Sequence, residues 1–230
     1  MYRPLLLALA FSIALPGLGA AQAGSCQLIE NEYTQRRVEN GFSTVFIQGP
    51  LLVRCEGGAE IRAQQGTLYE ATREIHLSGS VSFVDPERRL TSQRATYSLG
   101  NGRLYATGDV VFSDLTEGMT LRGPELEYFR AMQGRPQTQA IATQRPHLTL
   151  LPRSRAGSAA QPGSPDGEPV EVDADRMTME GNEQFFAVGR VEIRRSDFQA
   201  FSREARLDQV NQRMELRENA RVQGEQFDLT

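Results

Sequence analysis

A unit of about 30 residues recurs along this chain, and each copy holds two stretches of strict apolar–polar alternation. Gly79, Val81, Phe83 and Asp85 reappear as Gly108, Val110, Phe112 and Asp114 with a constant shift of 29. Between them Ala95-Thr96-Tyr97 returns, 31 positions on, as Leu126-Glu127-Tyr128. Later, Ala174, Gly189 and Val191 map onto Ala205, Ala220 and Val222 with a shift of 31. Period-two alternation makes one face of a strand dry and the other wet. A two-strand unit cannot bury its dry face alone, so neighbouring units must stack.

The clearest strands are 75–83, 104–112 and 185–193. Ile75, Leu77, Val81 and Phe83 alternate there with His76, Ser78 and Ser82. Gly79, Gly108 and Gly189 fall at equivalent places on the apolar parity. A repeated strand-interior glycine marks a bend or a close backbone approach, so these are read as corners where the sheet folds over, room for a ligand being the other reading. Leu99-Gly100-Asn101-Gly102-Arg103, Asp85-Pro86-Glu87-Arg88 and Gly181-Asn182-Glu183 read as turns. Strands joined by such short turns are antiparallel.

Tyr2-Arg3-Pro4, the apolar run 5–18 and Ala21-Gln22-Ala23 form the layout of a cleavable secretory signal peptide over 1–23. Export places the mature chain in an oxidising compartment, where the pair Cys26 and Cys55 is expected to be bridged; lipidation of Cys26 is the alternative. A first strand-rich part spans 24–152, a Pro-, Gly- and Ser-rich linker or loop spans 153–169, and strand patterning resumes over 170–230. The net charge of −4 argues against a nucleic-acid partner. All 25 basic residues are arginine; they are scattered, which fits a compositional bias better than a phosphate site, the other reading of guanidinium chemistry.

The segments 77–83, 104–114, 174–177 and 187–191 resemble the OstA/LptA-like repeats of the lipopolysaccharide-transport family, over roughly 61–229 apart from the linker. That resemblance implies an all-β fold: an antiparallel β-jellyroll, an open, V-shaped, twisted β-sandwich. It implies a periplasmic bridge protein whose apolar interior carries the acyl chains of lipopolysaccharide or a related glycolipid. It also implies partners that are other jellyroll transport proteins stacked edge strand to edge strand, a homo-oligomer among them; Gln226-Phe227-Asp228-Leu229 is a candidate edge. The expected groove lining shares the dry-face parity: Leu68, Ile75, Leu77, Val81, Phe83, Leu104, Val110, Phe112, Met119, Leu121, Val191, Ile193, Phe198, Leu207, Leu216 and Val222. The plainer reading of the same residues is a packed core.

No cofactor, metal site or catalytic group is expected. His76 and His147 are the two histidines, each placed at an exposed position, and Asp173 and Asp175 share one strand face as carboxylates often do. Two alternatives stand: a parallel β-helix acting on polysaccharide, which also suits a period near 30, and a structural β-assembly protein without ligand. Strand direction separates the first from a jellyroll.

Overall fold

The computed structural model describes residues 26–55, 57–116, 118–151, 168–181, 184–208, 211, 213–224 and 227–229. The expected signal peptide, almost all of the expected linker, Asn182, Glu183 and Gln226 lie outside them. Seventeen strands run through the described residues: β1 Cys26–Glu30, β2 Tyr33–Glu39, β3 Phe42–Cys55, β4 Glu60–Tyr69, β5 Glu74–Val84, β6 Arg88–Ser98, β7 Arg103–Asp114, β8 Met119–Phe129, β9 Gln139–Thr143, β10 His147–Leu150, β11 Val170–Asp173, β12 Arg176–Glu180, β13 Gln184–Arg195, β14 Phe198–Asp208, β15 Arg213–Arg217, β16 Arg221–Gly224 and β17 Phe227–Leu229.

Every pairing between these strands is antiparallel, and each long strand from β3 to β7 pairs with the next. The parallel β-helix is thereby excluded, since its rungs would pair in parallel. Short turns leave no length for a crossover. In 98–103 the Asn101 side-chain oxygen accepts from the Arg103 amide at 3.0 Å, and Gly102 takes a φ of 63°. At 85–88 the Asp85 carboxylate accepts from the amides of Glu87 and Arg88 at 2.9 and 2.7 Å.

The meander is folded lengthwise into two leaves, which makes it a jellyroll. Each long strand crosses from one leaf to the other midway, and the pairs β1/β2, β9/β10, β11/β12 and β15/β16 are long strands broken at the same crossing. The first leaf holds β2, β9, β12 and β15 with one half of each long strand. The second holds β1, β10, β11, β16 and β17 with the other halves. Among the described residues there are six crossings from the first leaf to the second, and each contains left-handed backbone: Gly49, Gly79-Ser80, Gly108-Asp109, Gln144-Arg145, Gly189-Arg190 and Glu218-Asn219. In β3, β5, β7 and β13 this is a β-bulge with one extra residue, as the register slips by one between Gln48 and Leu51, Ser78 and Val81, Thr107 and Val110, and Val188 and Val191. A bulge bends its strand and adds twist. A row of them at one height folds the whole sheet.

These glycines are corners, as their repetition suggested, but they do not lie on the dry face. The extra residue turns Gly79 outward, where it is exposed, and leaves Gly108 and Gly189 half-exposed. The space above each belongs to a polar neighbour: a Cβ on Gly79, Gly108 or Gly189 would stand 2.7, 2.8 or 2.5 Å from Gln64, Gln93 or Asp175. That occupancy removes the reading of these sites as room for a ligand.

Cys26 and Cys55 face each other across β1 and β3 and are joined by a disulfide, so Cys26 has no thiol left to carry a lipid. Across the linker the sheet continues: β10 pairs with both β8 and β11, and β9 pairs with β12.

Candidate functional site: the dry interior and its open end

The inner faces of the two leaves form one continuous apolar cluster. Of the expected lining residues, Ile75, Leu77, Val81, Phe83, Leu104, Val110, Phe112, Met119, Leu121, Val191 and Ile193 are buried within it, most at 0–3% exposure. Leu68, Phe198, Leu207, Leu216 and Val222 pack against it half-exposed. The alternation therefore brings all sixteen to the interior side, and they divide by position along the stack.

Between β4 and β8 the interior is filled. Phe83 and Phe112 from the second leaf flank Tyr128 from the first, with ring centroids 5.6 and 5.5 Å apart. The Tyr128 hydroxyl donates to the Asp85 carboxylate at 3.3 Å, joining the outer rim of one leaf to the other. Burial, and after it the Asp85 charge, pushes the Tyr128 phenol far above its ordinary range. Beside it Arg88 and Asp114 are 5% and 3% exposed, with the guanidinium 3.5 Å from the carboxylate. Asp114 also accepts from the Thr116 amide and hydroxyl, and Arg88 reaches Glu87 at 3.1 Å. A buried ion pair of this kind persists only when its remaining polar atoms are bonded, and here they are.

Toward the C-terminal end the filling thins. Three alanines lie on the dry side of β13 and β14 there, Ala187 beside Ala205 and Ala200 beside Ile193. Beyond them Leu207, Met214 and Leu216 leave the dry face uncovered, and Met214 is 37% exposed. A cleft opens among Leu148, Met177, Phe185, Ile193, Leu207 and Met214. Its room is about 30 Å³, enough for a few water molecules. The rim is charged. Arg195 lies over the Phe198 ring at 4.9 Å and binds Asp197, holding that carboxyl below its usual range. On the outer face of β13, Arg194 bonds Asp173 at 2.6 Å and Glu192 at 2.8 Å.

The sequence reading missed Leu90, Leu126, Leu148, Met177 and Phe185, all on the buried parity of their strands. The same period-two count would have found them. It also missed Arg88 and Asp114, which look like turn residues because they are charged and end their strands. His147 and the two acids the sequence brought forward are tied into surface ladders: His147 Nδ1 lies 3.1 Å from Asp173, while Asp175 binds Arg190 at 2.6 Å. His76 packs edge-on against Tyr69. Among the described residues no group of three or more His, Cys, Asp or Glu could hold a metal ion.

No family model and no curated protein matches the chain. Among solved structures there is a likeness to LptH, the LptA-homologous periplasmic component of the lipopolysaccharide transport device of Pseudomonas aeruginosa. It has 9% identity over 71% of this chain and 84% of that one, with a TM-score of 0.28, a likeness too loose to place any residue.

Proposed function

We propose that this chain is an exported, non-enzymatic carrier of lipopolysaccharide or a related glycolipid, a bridge component of the periplasm that holds acyl chains against its dry interior. The observation that carries the reading is the uncovered dry face of β14 to β16, where Phe198, Leu207, Leu216 and Val222 stand half-exposed on a cluster that is sealed between β5 and β8. A soluble chain leaves such a surface bare at a cost unless something apolar covers it. Each methylene buried there contributes about 0.8 kcal/mol. Ten of them give about 8 kcal/mol, which corresponds to a micromolar dissociation constant. The cleft's room of about 30 Å³ is far too small for an acyl tail, so the leaves part at this end to admit one. The row of left-handed crossings is where they turn. Arg206, the charged residue at this cleft, suits an anionic headgroup left in water.

The ends of the sheet support the partner reading. β2 is exposed along its whole length and β17 pairs only with β16 among the described strands. Exposed edges invite strand addition, by other jellyroll transport proteins or by a second copy. A structural assembly protein without ligand is the second reading, favoured by the filled interior between β4 and β8. Solvent extraction of the purified chain, followed by mass spectrometry, separates the two. The carrier reading expects acylated lipid in near-equal molar amount; protein that stays lipid-free after incubation with glycolipid micelles supports the assembly reading instead.

A further inference from the structure

β1 is held to the molecule by little besides its disulfide. Gln27, Leu28, Ile29 and Glu30 are exposed, and Cys26 alone packs against the apolar cluster. Pairing with β3 covers four positions and is broken by an irregularity between Leu28 and Glu30. Ordering a residue costs about 1–2 kcal/mol of backbone entropy, and a net backbone hydrogen bond returns about 1 kcal/mol. With almost no side-chain burial, five residues do not stay docked on those terms. The covalent tie to Cys55, itself 3% exposed, removes most of the entropy that would otherwise favour release.

What β1 covers is a different kind of edge. β3 is 14 residues long, and its half in the second leaf carries Leu51, Leu52, Val53 and Cys55, all buried. A short, bulged strand laid on a long one is a known way to blunt an edge against further pairing. β2, by contrast, pairs with β3 at seven consecutive positions in the first leaf without interruption.

We propose that the Cys26–Cys55 disulfide is a redox-controlled latch on the N-terminal edge: oxidised, it keeps β1 in place as a blunt guard, and reduced, it releases β1 and uncovers the β3 backbone over 52–55. A dithiol supplies the reduction, its two thiols closing to a disulfide as two electrons and two protons pass to Cys26 and Cys55, which become free thiols. The inference is independent of what the interior carries.

Hydrogen exchange on the full chain, with and without dithiothreitol, tests it. Amides of 27–30 and 52–55 are expected to exchange at least tenfold faster after reduction, with those of β2 and of β5 to β8 unchanged. The Cys26→Ala/Cys55→Ala variant in non-reducing buffer is expected to reproduce that local pattern. Unchanged exchange at 27–30 in the reduced protein overturns the proposal. So does acceleration spread evenly over β3 to β8, which would make the disulfide a staple for the whole fold.

Discussion

Between β4 and β8 the two leaves are sealed by aromatic rings and a buried ion pair, whereas from β14 onward the same alternation of residues leaves the dry face half-open. Both regions share the crossing geometry, the antiparallel register and the parity of their side chains. They differ in bulk. Phe83, Phe112 and Tyr128 reach across the gap in the first region; in the second, Phe198, Leu207, Leu216 and Val222 pack on the cluster and stay half-exposed. An identical strand pattern thus yields a core where aromatic rings of the two leaves meet and a half-exposed apolar face at the end of the stack.

The strongest way to break this contrast is through charge. Arg88→Met strands Asp114 in the sealed region and is expected to cost about 3–5 kcal/mol. Arg194→Met at the open end removes pairs made by a side chain 39% exposed and is expected to cost at most about 1 kcal/mol. Urea unfolding of the two variants measures the difference, and equal losses would erase the distinction between the regions. Truncation gives a similar comparison with a smaller gap: Phe112→Ala about 3–5 kcal/mol, Phe198→Ala about 1 kcal/mol for a half-buried ring.

The crossings are expected to behave alike in both regions. Gly108→Ala and Gly189→Ala each place a Cβ at φ +80 against a polar side chain under 3 Å away. Each should cost about 1–2 kcal/mol, while Gly100→Ala, which meets nothing within 4 Å, should be near neutral by the same unfolding assay.

The smallest effect concerns pH. Tyr128 has its phenol raised in the folded state above the unfolded value near 10. Its contribution is therefore complete below about pH 10 and is lost as pH climbs past that point. Tyr128→Phe should remove about 1 kcal/mol of stability at pH 8 and flatten the fall in urea midpoint between pH 9 and 11. Some slope will persist from Tyr105, whose hydroxyl, bonded to Glu125, is also raised.

Much of this architecture is legible in the sequence, because alternation and repeat spacing are local. The period of about 30 places Gly79, Gly108 and Gly189 at corners, and the parity of 75–83 and 104–112 picks out residues that are buried. Two kinds of feature escape such a reading. Crossings built from Gln144-Arg145 and Glu218-Asn219 lack glycine; these residues adopt left-handed backbone because the flanking strands are fixed by their neighbours. The sealing of the interior is non-local as well. Arg88 and Asp114 are drawn under cover only when Tyr128 on β8 reaches Asp85, 43 positions away.

The claim that acyl chains lie on the open dry face is tested most directly by site-specific photocrosslinking on β14. Phe198 and Phe201 sit on one strand, both half-exposed, with Phe198 packed on the apolar cluster and Phe201 in an outer, arginine-lined cleft. With p-benzoylphenylalanine at each position in turn and a radiolabelled glycolipid, crosslinks to acyl carbon are expected at 198 and not at 201. Equal labelling at the two positions, or labelling at 201 alone, would contradict the account.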